Sequence, residues 1–211
     1  VALQRRVFAR SSIGAIMINK ESIGYNASDS AHGVNPYNRT LGLEYNLASA
    51  NNIWTGKALF LKSFTPNMQS RDYTHAANLQ YNSRKWIVSG HYEYIGRNYN
   101  AEVGFVPRRG YLKVNPIASR LFFPRGTSIL SHGPGINSTV YFNESLNEST
   151  DHETIFSYKI SLRSQAVFTA WTAHNYVKLL NPFDPTNSGL DSLATGTQHR
   201  WNSVGFDYTS K

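Results

Sequence analysis

Along much of the chain apolar and polar residues alternate, the period of a β-strand with one apolar and one polar face. In 41–48, Leu41, Leu43, Tyr45 and Leu47 fall on one side, and Gly42, Glu44, Asn46 and Ala48 on the other. In 75–82, Ala77, Leu79 and Tyr81 oppose Asn78, Gln80 and Asn82. Over 85–94, Trp86, Val88, Tyr92 and Tyr94 oppose Lys85, Ser89, His91 and Glu93, with Ile87 out of step. Segment 156–163 sets Phe156, Tyr158, Ile160 and Leu162 against Ser157, Lys159, Ser161 and Arg163. In 202–208, Val204, Phe206 and Tyr208 oppose Ser203, Gly205 and Asp207. Less cleanly sorted strands are predicted near 5–18, 53–63, 111–123, 136–146 and 166–178. Helical periodicity is nearly absent. The pattern predicts an all-β chain of about ten antiparallel strands, many longer than the usual five or six residues.

The connections sharpen this. Long links at 20–38, 64–72, 97–110 and 179–197 alternate, almost without exception, with short ones at 50–52, Ser83-Arg84 and Ser164-Gln165, while a Pro/Gly link near Pro124-Arg125-Gly126 has no clear far end. A polar loop at 147–152 takes a place in the long series. In an up-and-down sheet this puts the long loops at one end and the tight turns at the other. Long strands, two-residue alternation and one-sided loops describe an antiparallel up-and-down transmembrane β-barrel, complete or as a run of strands within a larger one. A sheet that spans hydrocarbon must close, because an open edge leaves backbone N–H and C=O groups unpaired. Trp54, Trp86, Tyr92, Tyr94, Trp171 and Trp201 are expected near strand ends, where interfacial aromatic girdles sit. The alternative is a soluble carbohydrate-binding β-sandwich, whose sheets also alternate, with Trp171 and Trp201 stacking on sugars.

Composition narrows the classes. The 211 residues suffice for one large β domain or two small ones, and charged residues make up only 16%, too few for a disordered chain. The net charge is +8, yet Lys and Arg are scattered without a basic helix or run, so nucleic acid is not an expected partner. There is no cysteine, which excludes disulfides and thiolate metal sites. No apolar run approaches the ~20 residues of a spanning helix. Val1-Ala2-Leu3-Gln4-Arg5-Arg6 runs straight into a strand pattern rather than a leader, and 206–211 stop inside one. The chain therefore reads as a fragment, with residues 1–211 forming one barrel domain.

Candidate chemistry is sparse. His32, His75, His91, His132, His152, His174 and His199 show no metal-ligand spacing, so no metal or other cofactor is expected. No GxSxG, Walker or GxGxxG pattern occurs, and no enzymatic activity is expected. Glu44, Glu93 and Asp207 lie on predicted polar faces, where two carboxylates could form a glycosidase pair. They are better read as lumen carboxylates facing Lys159 and Arg163. The full lumen-facing set is Glu44, Asn46, Asn78, Gln80, His91, Glu93, Lys159, Arg163 and Asp207. Asn-x-Ser/Thr sites at Asn26, Asn38, Asn137, Asn143 and Asn147 are what an Asn- and Ser-rich chain yields by chance. Asn181-Pro182-Phe183-Asp184-Pro185 reads as a rigid loop bend.

Two segments carry a resemblance. ARSSIGAIMINK (9–20) and NYNAEVGFVPRRGYLKVNP (98–116) resemble the C-terminal region named domain of unknown function 5916, found in large outer-membrane proteins of Bacteroidota. INSTVYFNE and LLNPFDP are compatible with it. The resemblance implies a barrel-like region in the cell outer membrane, in proteins that also carry a family-9 carbohydrate-binding-like domain at the N-terminus; that domain is not in this chain. The resulting expectation is an integral outer-membrane barrel acting as pore, scaffold or docking platform, with a link to glycan or nutrient handling. A further alternative is a non-conducting accessory subunit of a larger outer-membrane complex. Its partners would be outer-membrane lipid, other outer-membrane or periplasmic proteins, and glycans. Within the 98–111 loop, Phe105 is expected to plug or staple the loop, and Arg108 and Arg109 to meet lipid headgroups or a partner.

Overall fold

The computed structural model describes residues 1–26, 28, 34–126, 128–189 and 191–210; His32 and Lys211 lie outside these. Eleven strands follow one another in a single antiparallel up-and-down sheet, in the order β1 to β11. They are β1 (Ala2–Val7), β2 (Ser11–Glu21), β3 (Tyr37–Ala48), β4 (Trp54–Phe64), β5 (Tyr73–Asn82), β6 (Trp86–Ile95), β7 (Tyr111–Arg120), β8 (Ile129–Asn143), β9 (Ser149–Leu162), β10 (Val167–Lys178) and β11 (Gln198–Thr209). Among the described residues no helix is long and apolar enough to cross a membrane, which says nothing of crossing by strands. The sheet order has two ends, and a closed barrel is not seen.

Most expected strands lie within a few residues of the observed ones, but β8 and β9 each begin seven residues earlier than the expected 136 and 156, and one expected strand is in fact two. The strand expected over 5–18 is a hairpin, β1 and β2, with Val7 opposite Ser11. Its turn, 8–10, holds Phe8 at φ 54 and contains none of the Gly, Pro, Asn or Asp residues that mark turns. The apolar residues on both sides continue the alternation, so the reversal was invisible in the pattern. The polar segment 147–152 is also shorter as a loop than expected, because β9 already begins at Ser149.

Successive connections in such an order alternate between strand ends. Links 8–10, 49–53, 83–85, 121–128 and 163–166 fall at one end, and 22–36, 65–72, 96–110, 144–148 and 179–197 at the other. The second series holds the three longest links, 22–36, 96–110 and 179–197, but its 65–72 is no longer than 121–128 of the first series, and 144–148 is short.

By residue contacts the chain divides into two compact units. The first comprises Val1–Gln80 and His91–Leu112, and the second Tyr81–Gly90 and Lys113–Lys211. In the first unit, pairing of Gly14 with Glu44 and of Glu44 with Leu59 puts these residues on one face. Leu41, Leu43, Ala15, Met17, Ala58 and Phe60 lie on the other. Phe60 stacks on Tyr73, and Tyr73 and His75 meet Tyr94 and Tyr92, so those rings share the Leu43 face. In the second unit, Phe156, Tyr158, Phe168, Val204 and Phe206 share one face, and Ser157, Lys159, Trp171, Gly205 and Asp207 the other.

Burial is inverted relative to a water-soluble domain. Among the described residues the buried apolar set is Tyr94, Tyr99, Tyr111, Ala166, Ala173 and Tyr176, with no Leu, Ile, Val or Phe. The largest fully buried side chains are Asn38, Thr150 and Ser63. Leu43 is 60% exposed and Val204 81% exposed, although such side chains ordinarily fill cores.

Candidate functional site: the polar faces and the loop clasped onto one of them

The polar face of the first unit carries Glu44, Asn46, Asn78, Gln80, His91 and Glu93. For Glu44 and Asn46 strand pairing fixes this directly. For the others it follows from alternation against Leu79, Tyr92 and Tyr94. Lys159 and Asp207 lie on the polar face of the second unit, in one cross-strand row on either side of Thr169. Arg163 lies just past β9, in the turn before β10.

The cations expected opposite the carboxylates are not the partners observed. Glu44 pairs with Lys57 at 2.7 Å and accepts from Asn46 at 3.1 Å. The Tyr111 hydroxyl donates to Glu93, and His91 lies 3.9 Å from the same carboxylate. Asp207 accepts the Trp171 indole N–H at 2.8 Å. Alternation assigns side chains to a face but not to partners, which depend on cross-strand offset and reach.

The Trp positions also differ from a uniform girdle. Trp54 and Trp86 begin strands β4 and β6, and Tyr94 lies next to the end of β6. Trp171 and Trp201 sit inside strands, on the face of Asp207. Trp171 is there because Gly205 leaves room for its indole and Asp207 accepts its N–H.

The loop 96–110 folds onto the polar face of the first unit. Lys20 pairs with Asn38 and Thr40 with Ser63, so Lys20, Asn38 and Ser63 all point that way at the long-loop end of the strands. Asn38, 1% exposed, donates through Nδ2 to Thr65 Oγ1 and to the Asn100 carbonyl, both at 2.8 Å. Its Oδ1 accepts the backbone N–H of Glu102 at 3.3 Å. The Asn100 N–H donates to Ser63 Oγ at 3.0 Å, and Ser63 Oγ donates to the Asp72 carbonyl at 3.1 Å. Glu102 then accepts from Lys20 Nζ and Asn35 Nδ2, each at 2.5 Å, and from Asn100 Nδ2 at 3.2 Å. Burial by itself would raise the Glu102 pKa; the hydrogen bonds from Lys20 and Asn35 outweigh it and hold the carboxyl below its ordinary value. Every arm of this network is satisfied, as a buried polar cluster requires.

These contacts correct the reading of the loop. Phe105 is 88% exposed and neither plugs nor staples it; Tyr99, 4% exposed, is the ring that is buried. Burial pushes the Tyr99 hydroxyl pKa up. Arg109 donates to Asn100 Oδ1 at 3.0 Å, and the Arg108 guanidinium lies 5.3 Å from the Tyr111 ring centre. Both arginines thus have contacts within or next to the loop. Gly96 starts it at a point where a Cβ would run into the Arg71 carbonyl. Sequence reasoning missed Asn38, Ser63 and Thr65, because small polar residues within or next to strands look the same whether solvated or buried.

The second polar face holds a shallow concavity of about 530 Å³, lined in part by Lys113, Glu153, Asn175 and Trp201. Asn115 donates to Asn137 Oδ1 at 2.7 Å beside it. The histidines are dispersed: His75 stacks on Tyr92 and Tyr94, His132 meets the Tyr158 hydroxyl at 2.6 Å, and His152 lies against His174. Among the described residues no three His, Asp or Glu side chains gather as a metal site. In the loop 179–197, Asp184 is the hub of the bend. It accepts from the Thr186 N–H and hydroxyl and from the Gly189 N–H, which hold its pKa down. No protein-family model, curated protein or solved structure matches the chain.

Proposed function

We propose that this chain is the membrane-spanning part of an outer-membrane β-barrel, with its apolar faces toward lipid and its polar faces toward an interior. One observation carries the reading: most of the exposed large apolar side chains of the strands lie on one face of each unit, with Ile16 and Trp201 exposed on the other, while the largest fully buried side chains are polar. Water would penalise that distribution at roughly 25 cal/mol per Å² of apolar surface, whereas hydrocarbon removes the penalty. Apart from β1, every strand has 10 to 15 residues, enough to cross a bilayer at the usual tilt. The apolar bands are bordered by aromatic and cationic residues. Arg39 lies over Tyr37 and Lys62 over Phe64 in the first unit, and Arg120 over Trp86 in the second.

Spanning requires the open sheet edges to be paired, so closure is part of the proposal. With the long loops outside, the clasped loop 96–110 would sit on the interior face near the external mouth, which favours a scaffold or docking platform over a wide pore. Outer-membrane location, a link to glycan handling and the likeness to the Bacteroidota family rest on the alternation and the two sequence motifs. The sandwich alternative is less well supported, since the strands of the described residues form one sheet order rather than two sheets.

The test is extraction of the native protein followed by electrophoresis with and without boiling. A barrel needs detergent and changes mobility on boiling. A monomer in plain buffer with no heat-modifiable band would sink the reading. Planar-bilayer conductance then separates a pore from a scaffold.

A further inference from the structure

At the long-loop end of β8–β11, the face of Phe156 and Val204 changes character within two cross-strand rows. The row Ile136–Phe156–Thr172–Val204 is largely apolar, the next is Ser138–Thr154–His174–Asn202, and the one beyond is Val140–His152–Tyr176–Arg200. The polar side chains form one assembly. His174 Nδ1 and Asn202 Oδ1 lie 2.8 Å apart, within hydrogen-bond reach. His152 packs against His174 and Tyr176, with ring centres 5.4 and 5.1 Å apart, and the Arg200 guanidinium lies 5.3 Å from the centre of the Tyr176 ring. Tyr176 is buried beneath them while His174, Arg200 and Asn202 are exposed.

Charge is segregated here. The carboxylates of β8–β11 are Asp151, Glu153 and Asp207, and the pairing register puts all three on the opposite face. Lys178, one row further out, is held by Glu148 at 2.5 Å. In the first unit the corresponding cations have acidic partners, Arg39 with Glu21 and Lys62 with Asp72. The Arg200 assembly is thus a cation with amide and imidazole groups beside it, bordering an apolar band, with no carboxylate on its own strand face. Planar guanidinium and adjacent N–H donors match phosphate oxygens.

We infer that Arg200, Asn202, His174 and His152 form a binding site for the phosphate headgroup of an anionic lipid, whose chains lie on the Phe156–Val204 band. This deepens the proposed membrane reading and rests on it. The test is electron spin resonance of the full chain in phosphatidylcholine vesicles doped with spin-labelled phosphatidylglycerol or spin-labelled phosphatidylcholine. We expect the protein-restricted fraction to favour phosphatidylglycerol, and Arg200→Gln to reduce that preference about fivefold, as for one Arg at an anionic surface. Lys159→Gln, on the other face, leaves it unchanged. An unaltered preference in Arg200→Gln overturns the site. So does abolition of the preference by millimolar inorganic phosphate at constant ionic strength, which would indicate a free-phosphate site. Restricted lipid without headgroup preference removes this site alone. No restricted lipid of either kind removes the membrane reading and the site with it.

Discussion

The indole of Trp171 lies across Gly205, its cross-strand partner, and donates its N–H to Asp207 two residues further along β11. A Cβ at 205 would overlap the indole ring. Gly205→Ala should therefore force the ring from its slot, strain β10 against β11 and loosen the Asp207 bond, at a cost of about 1–3 kcal/mol. Urea unfolding in detergent, followed by tryptophan emission, reads both the lower midpoint and the altered indole environment. An unchanged midpoint and spectrum would show that the slot has slack.

Asn38 ties three chain segments through one amide, reaching Thr65, Asn100 and the Glu102 N–H. Asn38→Ala leaves those groups without their partner in a buried place, for a loss of about 1–3 kcal/mol. Limited proteolysis should show cleavage within 98–110 long before the strands are cut. Equal cleavage rates in the variant and the natural sequence would contradict the clasp.

The same clasp should open in acid. Glu102 has its pKa held below the ordinary 4.5, so the folded state favours the carboxylate. Its contribution is complete above about pH 4.5 and is lost as pH falls through the lowered folded value. Loop cleavage by an acid-active protease should rise as pH drops below 4.5. Glu102→Gln removes that step and leaves the loop looser at neutral pH. A step that persists in the variant would assign the titration to another group.

Leu43 on the apolar face and Asn46 on the polar face of β3 provide a paired test of lipid exposure. Leu43→Arg should lower folding stability in bilayers by about 2–4 kcal/mol if the position lies near the midplane. Asn46→Arg should cost far less. Folding yield into vesicles, read by the heat-modifiable band, compares them directly; equal yields would argue against lipid contact at Leu43.

Much of the sheet was legible in the sequence. Leu41, Leu43 and Leu47 against Glu44 and Asn46 already define two faces of β3, because side chains on a strand point alternately to either side. The turn at 8–10 escaped because Phe8 adopts φ 54 without a residue type that advertises it. The loop 96–110 was recognisable as unusual, but its anchors were not: Phe105 looked like the staple and Tyr99 is the buried ring.

The sequence by itself determined the all-β class, most of the strands and the faces of those that alternate cleanly, because alternation is a local, period-two property of the chain. The tertiary structure decided which groups meet: Glu44 with Lys57, Glu93 with Tyr111, Asp207 with Trp171, and Asn38 with a loop more than sixty residues away. Those pairings depend on cross-strand offset and on how a distant loop folds back. No local pattern records either.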